Sequence, residues 1–192
     1  TAVNSAAPAD LKVGLYGNIE SANAQWPHRW MVLCYDTQTG MQLWERVAHT
    51  GVPRVKRHTK SSHASSTLAT DGRFIIAFFG SEGLYAFDMN GKQIWKKDFG
   101  VLDSGYFMAP EAQWAFASSP IIHDDKVIIQ VDVQKDSFVA ALDLSTGKEL
   151  WRTPRKDVPT WSTPAVYTGG GPAQVIVNGW KHIGGYDLET AK

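Results

Sequence analysis

The side chains best placed for chemistry crowd into one connector, where Arg54, Lys56, Arg57, His58 and Lys60 form the densest positive run and His63 follows. His58 and His63 lie five apart and could bring two imidazoles to a metal. No Cys and no second spaced pair accompanies them, so no metal site is expected. The basic run reads first as a solvated loop and second as an anion site. The pairs Ser65-Ser66, Ser118-Ser119 and Ser162-Thr163 resemble nucleophiles only in isolation. They recur at equivalent places ahead of strands and sit in no Gly-x-Ser-x-Gly elbow, so packing and backbone bonding explain them. Cys34 is the single cysteine; it excludes an internal disulfide, and its apolar strand predicts a buried, inert thiol. No catalytic residue emerges. What remains is binding chemistry: aromatic plates at Trp114, Phe116, Trp161 and Trp180, next to Arg57, His58, His63 and His182. Such a set suits a flat polar or anionic ligand, a sugar among them.

These residues are spaced by a repeat. Ser137 to Trp151 reads SFVAALDLSTGKELW, and its pattern returns at Val32 to Trp44, at Leu84 to Trp95 and, cut short, at Ile183 to Lys192. The aspartates Asp36, Asp88, Asp143 and Asp187 are 52, 55 and 44 residues apart (88 − 36, 143 − 88, 187 − 143). A period of that size marks an array of supersecondary units. Each copy reads as a hairpin, with a strand ending at Asp, a turn carrying Gly40, Gly91 or Gly147, and a second strand bearing Trp44, Trp95 or Trp151. The Asp accepts from turn amides, the Gly supplies a left-handed position, and the Trp offers an apolar plate to a neighbouring unit. A second pattern precedes three hairpins, at His63 to Phe79, Phe116 to Asp132 and Thr160 to Val177, each a short strand, a tight turn and a β-branched strand. The two patterns together make a four-stranded antiparallel propeller blade.

The A-x-D-x-x-T-G-x-x-x-W element at Ala141 to Trp151 resembles the PQQ-like repeat of the quinoprotein β-propellers. That family includes pyrroloquinoline-quinone dehydrogenases and BamB-type outer-membrane assembly lipoproteins. The resemblance implies that Trp44, Trp95 and Trp151 staple each blade to the glycine-containing turn of its neighbour. The family's name records the repeat and does not establish quinone binding.

The expected fold is therefore all-β: a single partial β-propeller over 1–192, with blades at about 11–48, 63–99, 114–153 and 161–192. The first and last blades are incomplete, and the resemblance implies a ring of seven or eight. Residues 1–10 read as a disordered lead-in, Leu11 to Tyr16 as a strand, and Gly17 to Arg29, Thr50 to Ser62 and Gly100 to Gln113 as loops. Lys plus Arg and Asp plus Glu both count 19, so nothing asks for nucleic acid. No apolar run approaches the roughly 20 residues of a membrane span. The start at Thr1, without a signal peptide, reads as a mature or excised segment.

In a propeller the hairpin turns share one face, while the blade connectors and the second-to-third-strand loops share the other. All long, varied segments fall on the connector face, which is where binding is expected. The expectation is a non-catalytic, extracytoplasmic scaffold that holds a protein, polysaccharide or small molecule there, with association through open blade flanks as a further possibility. The alternative is part of an alcohol or sugar dehydrogenase using PQQ and calcium. Cofactors enter only under that alternative, which Cys34 weakens, because many such enzymes hold the quinone against paired cysteines.

Overall fold

In the computed structural model, described for residues 1–5, 21, 22 and 24–192, the repeat folds into successive antiparallel sheets. The first contains β1 (Ala2–Ser5), β2 (His28–Tyr35) and β3 (Gln42–Gly51), in that order. The second contains β4 (Ala69–Thr70), β5 (Phe74–Phe78), β6 (Leu84–Asp88) and β7 (Gln93–Lys97). A small hairpin, β8 (Gly105–Tyr106) and β9 (Ala109–Gln113), precedes the third sheet of β10 (Ile121–His123), β11 (Lys126–Val131), β12 (Phe138–Asp143) and β13 (Glu149–Pro154). The fourth contains β14 (Ala165–Tyr167), β15 (Gln174–Asn178) and β16 (Ile183–Asp187). The only helical turn among the described residues is a 3-10 turn at Gly80–Glu82, and no helix is long and apolar enough to cross a membrane. The fold is all-β, a partial β-propeller.

Three expectations need correction. Ala2–Ser5 is not a disordered lead-in: it pairs antiparallel with β2 from Ala2↔Met31 to Ser5↔His28, and Val3 packs on the core between the first two sheets. An open edge of β2 and one apolar side chain outweigh a small, polar composition. The connector over 100–113 carries β8 and β9 rather than running as an irregular loop. Cys34 is half-buried rather than buried, because it lies near the end of β2, where burial falls off toward the Asp36 turn. The strand expected over Leu11 to Tyr16 lies outside the described residues.

The inner strands of the middle blades read as continuous apolar runs because both faces of each sheet are covered. Alternation survives as a choice of neighbour. Ile75, Ala77 and Phe79 face the first sheet and meet Trp30 and Val32. Ile76 and Phe78 face the third and meet Val127, Ile129 and Val131. Within β12, Ala140 and Leu142 face the second sheet while Val139 and Ala141 face Val175 and Val177 of the fourth. Each large side chain so enclosed contributes about 1.5–3 kcal/mol relative to exposure.

The Asp turns close each hairpin from within. Asp143 Oδ1 accepts from the amides of Ser145 (3.1 Å) and Thr146 (2.8 Å) and from both hydroxyls (2.7 Å each). Asp36 and Asp187 repeat this with Thr39 and Thr190, and the threonine hydroxyl, ahead of the amides, holds both carboxyls below the usual range. In all three complete hairpins the ladder shifts register just before the Asp, at Cys34/Tyr35, Ala86/Phe87 and Ala141/Leu142. That recurrent irregularity re-aims the strand bearing the Trp.

Each Trp then reaches the next turn. Trp44 Nε1 donates to Met89 O (3.2 Å), Trp95 Nε1 to Leu144 O (2.9 Å) and Trp151 Nε1 to Leu188 O (2.9 Å). The acceptor is always the residue after the repeat aspartate. The indole face covers the turn glycine so closely that a Cβ on Gly147, at φ +69°, would sit 2.6 Å from Trp95 Cδ2. The fourth copy places Ala191 there at φ +61°, a conformation that costs an L-residue energy.

Trp95, 8% exposed, joins the second and third sheets through both packing and its hydrogen bond. Trp95→Ala is expected to lower unfolding free energy by about 3–5 kcal/mol in denaturant titrations. An unchanged midpoint would remove the staple role.

Candidate functional site

On the side opposite the Asp turns, the connectors assemble a run of aromatic rings from separate parts of the chain. His58, from the connector between β3 and β4, meets Trp114 edge to face at 5.7 Å. Trp114 stacks on Tyr106 of β8 (5.6 Å, 8°) and on Trp161 (5.1 Å, 29°). Tyr106 touches Phe107 (5.0 Å), and Phe107 touches Trp180 in the loop between β15 and β16 (5.2 Å, 45°). Trp161 is fixed by donating Nε1–H to Ala115 O at 2.8 Å. The run ends in the open, with Trp180 68% and Met108 72% exposed. Gln134 anchors the β8–β9 hairpin, its amide donating to Asp103 O (2.9 Å) and its Nε2 to Gly105 O (2.7 Å).

A buried charge cluster holds the Trp180 loop. Arg155 Nε donates to Asp132 Oδ1 at 2.7 Å, with side-chain exposures of 3% and 0%. Asp132 Oδ2 also accepts from Thr160 Oγ1 (2.8 Å) and Gln130 Nε2 (2.6 Å), and Arg155 Nη1 reaches Tyr186 Oη (3.1 Å). Asp157, beside Arg155, accepts from the amides of Val158, Trp180, Lys181 and His182 at 2.9–3.2 Å. Burial works to raise its pKa, but the amides of Lys181, Val158 and His182 and the charge of Arg155 bring it below the ordinary carboxylate value. The backbone passes so near that a Cβ on Gly179 would collide with the Asp157 carboxylate. One carboxylate therefore sets the path of 179–182 and the position of the Trp180 ring.

The residues singled out from sequence divide into three groups. His58, Trp114, Trp161 and Trp180 come together in the aromatic run, joined by Tyr106 and Phe107, which sequence reading missed. Phe116 does not reach the surface. It is 5% exposed, packs 4.6 Å from Phe78 and fills the space over Gly80, so it is core. Arg57 and His63 lie apart from the run's open end, lining a pocket with His28. His182 is exposed beside Trp180, and its amide rather than its ring is engaged by Asp157 at hydrogen-bonding distance. The buried cluster was also missed, although Gln130 and Asp132 within KVIIQVD were a signal: polar side chains in a β-branched strand require buried partners.

Blades of antiparallel strands joined by tryptophans on aspartate–glycine turns define a PQQ-like repeat β-propeller. Within that class, residues 29–179 match the family described as outer membrane protein assembly factor BamB, and the chain belongs to it. Among solved structures, BamB from Moraxella catarrhalis is similar over 100% of this chain and 50% of its own, at 16% identity and TM-score 0.55. The quinohemoprotein alcohol dehydrogenase ADHIIG from Pseudomonas putida HK5 is similar over 91% of this chain and 32% of its own, at 14% identity and TM-score 0.56. This chain thus spans half or less of either, and the likeness is one of fold. No curated protein matches it in sequence.

Asp132→Ala strips the buried Arg155 guanidinium of its shorter carboxylate partner and leaves it Asp157 at 3.4 Å, and a loss of up to about 3–5 kcal/mol is expected. A chemical melt within error of the parent would show the cluster to be dispensable. A second expectation concerns acid. Burial first, then the charges of Arg57 and His28, lower the His63 pKa from 6.5 to about 4. Between those values the unfolded chain binds a proton that the folded chain refuses. Stability should fall as pH drops from 6.5 toward 4, by roughly 3 kcal/mol in total, with no contribution above 6.5. Subtracting the pH–stability curve of His63→Gln from the parent's isolates this loss, and parallel curves would refute it.

Proposed function

We propose that this chain is part of a non-catalytic, extracytoplasmic bacterial scaffold that holds a protein partner on its connector face. The carrying observation is the aromatic run from His58 through Trp114, Tyr106 and Phe107 to Trp180, exposed at its far end and fixed by buried hydrogen bonds beneath. Trp and Tyr are enriched where proteins meet, since they bury large areas with few rotatable bonds, and Met is enriched there as an adaptable apolar side chain. Membership of the BamB family supports the same reading, as that family's description is of an assembly factor.

The second reading, a piece of a PQQ- and calcium-dependent alcohol or sugar dehydrogenase, is favoured by a fold likeness to ADHIIG of the same degree. The donor set speaks against it within this chain. Among the described residues no three His, Cys, Asp or Glu side chains converge on a point, and Cys34 has no cysteine neighbour.

The test places a photoreactive amino acid at position 180 and, as control, at Gln38 on the turn face. Crosslinking of 180 but not 38 to a component of the outer-membrane assembly machinery is expected, and Trp161→Ala should weaken it at least severalfold while retaining most of the stability. Equal crosslinking from both positions, or crosslinking to polysaccharide instead, would overturn the protein-scaffold reading. Saturable PQQ binding in the presence of calcium, followed by quinone absorbance, would favour the dehydrogenase.

A further inference from the structure

Between the first two blades, on the connector side, lies a pocket of about 190 Å³ lined by Val3, Ser5, His28, Arg57, Ser61, Ser62 and His63. Among the described residues its lining has two imidazoles, a guanidinium and three hydroxyls, and no acidic side chain. The basic run that borders it divides sharply. Arg54 is neutralised by a two-pronged pair with Asp98, at 2.8 Å on each oxygen. Arg57 has no carboxylate partner among the described residues. Its Nη1 donates only to backbone carbonyls, His58 O (3.1 Å) and Ser61 O (2.8 Å), which hold the guanidinium in place while leaving its charge unmatched.

The wall is built rather than incidental. His63 is 6% exposed, and its buried Nε2 has no hydrogen-bond partner among the described residues. Buried polar atoms in folded proteins are mostly satisfied, so an unpartnered ring nitrogen on a residue lining a polar pocket is open to a ligand. His28 is also buried, its Nδ1–H donating to Trp26 O (2.7 Å), which fixes the tautomer, and its ring stands edge-on to His63 at 5.8 Å. Trp30 holds the His63 backbone, its Nε1 donating to His63 O at 3.2 Å.

We propose that this pocket is an oxyanion site in which His63 Nε2 and the Arg57 guanidinium bind a small phosphate or carboxylate group. Guanidinium and imidazole N–H groups are strong, charge-assisted donors to such oxygens, and Ser61 and Ser62 can supply hydroxyl donors at the rim. Burial first, and then the charges of Arg57 and His28, disfavour protonation of His63, and an anion between them would offset the part due to those charges. The site is separate from the aromatic run, so failure of either assignment leaves the other standing.

The test follows the ring C–H resonances of His63 and His28 by NMR in the full chain while inorganic phosphate, or in a second arm acetate, is added at constant pH and ionic strength. Saturable shifts confined to these two histidines are expected. A response to phosphate alone assigns phosphoryl groups, to acetate alone carboxylates, and to both a general oxyanion site. Arg57→Gln should weaken binding by about tenfold or more. Because Arg57 also shapes its loop, Ser62→Asp is the companion variant: its carboxylate at the rim should mimic the shift without added anion and blunt the phosphate response. No ring shift with either anion in the parent would overturn the proposal, as would undiminished responses in both variants.

Discussion

The whole architecture depends on one contact, a tryptophan laid across the turn of the next blade with its indole N–H on that turn's backbone carbonyl. An isolated four-stranded sheet buries too little to stand alone, and a propeller has no single centre to collapse around. Trp44, Trp95 and Trp151 solve this pairwise by combining a large apolar face with one directed hydrogen bond. The hydrogen bond fixes the register of neighbouring blades, which packing alone would leave free to slide. The glycine beneath is what allows the ring to approach so closely.

The opposite side is held by different forces. There the joints are polar and irregular: the Arg155–Asp132 pair, the amides gathered by Asp157, and the Gln134 bonds to the β8–β9 hairpin. Buried charges are a costly way to join elements, yet they fix direction in a way that hydrocarbon does not. A loop carrying Trp180 outward needs such direction, because little apolar surface beneath it could select one path. The molecule thus has a repetitive, self-satisfied face and an individual one, and the residues suited to recognition all belong to the second.

Sequence reading reached the first face far more fully than the second. Asp, Gly and Trp recur at fixed spacing, and each explains itself locally, so the hairpins were legible without coordinates, while the turn that each Trp covers was implied by the family resemblance. Phe116 shows the limit. The repeat puts it at the same position as His63 and Thr160, but what a side chain there packs against depends on what the next blade offers, here Phe78 and the bare backbone of Gly80. Arg155, Asp132 and Asp157 were invisible as a group because their partners come from non-repeating loops. Tyr106 and Phe107 looked like connector filler until a two-residue strand turned them toward Trp114 and Trp180.

The turns differ in whether a tryptophan leans on them, and that difference governs where the sequence is free to drift. The turns after Asp88, Asp143 and Asp187 are each pinned by a neighbouring blade's Trp and differ in length by no more than one residue. The first hairpin of each blade is unpinned, and there length has already diverged: β10 and β11 are joined across 123 to 126, whereas β14 and β15 are joined across 167 to 174 by a glycine-rich stretch. Evolution could lengthen, shorten or decorate such unpinned hairpins without disturbing the seam between blades, which makes them the natural sites for insertions in lineages of this fold and for tags or grafted epitopes in the laboratory.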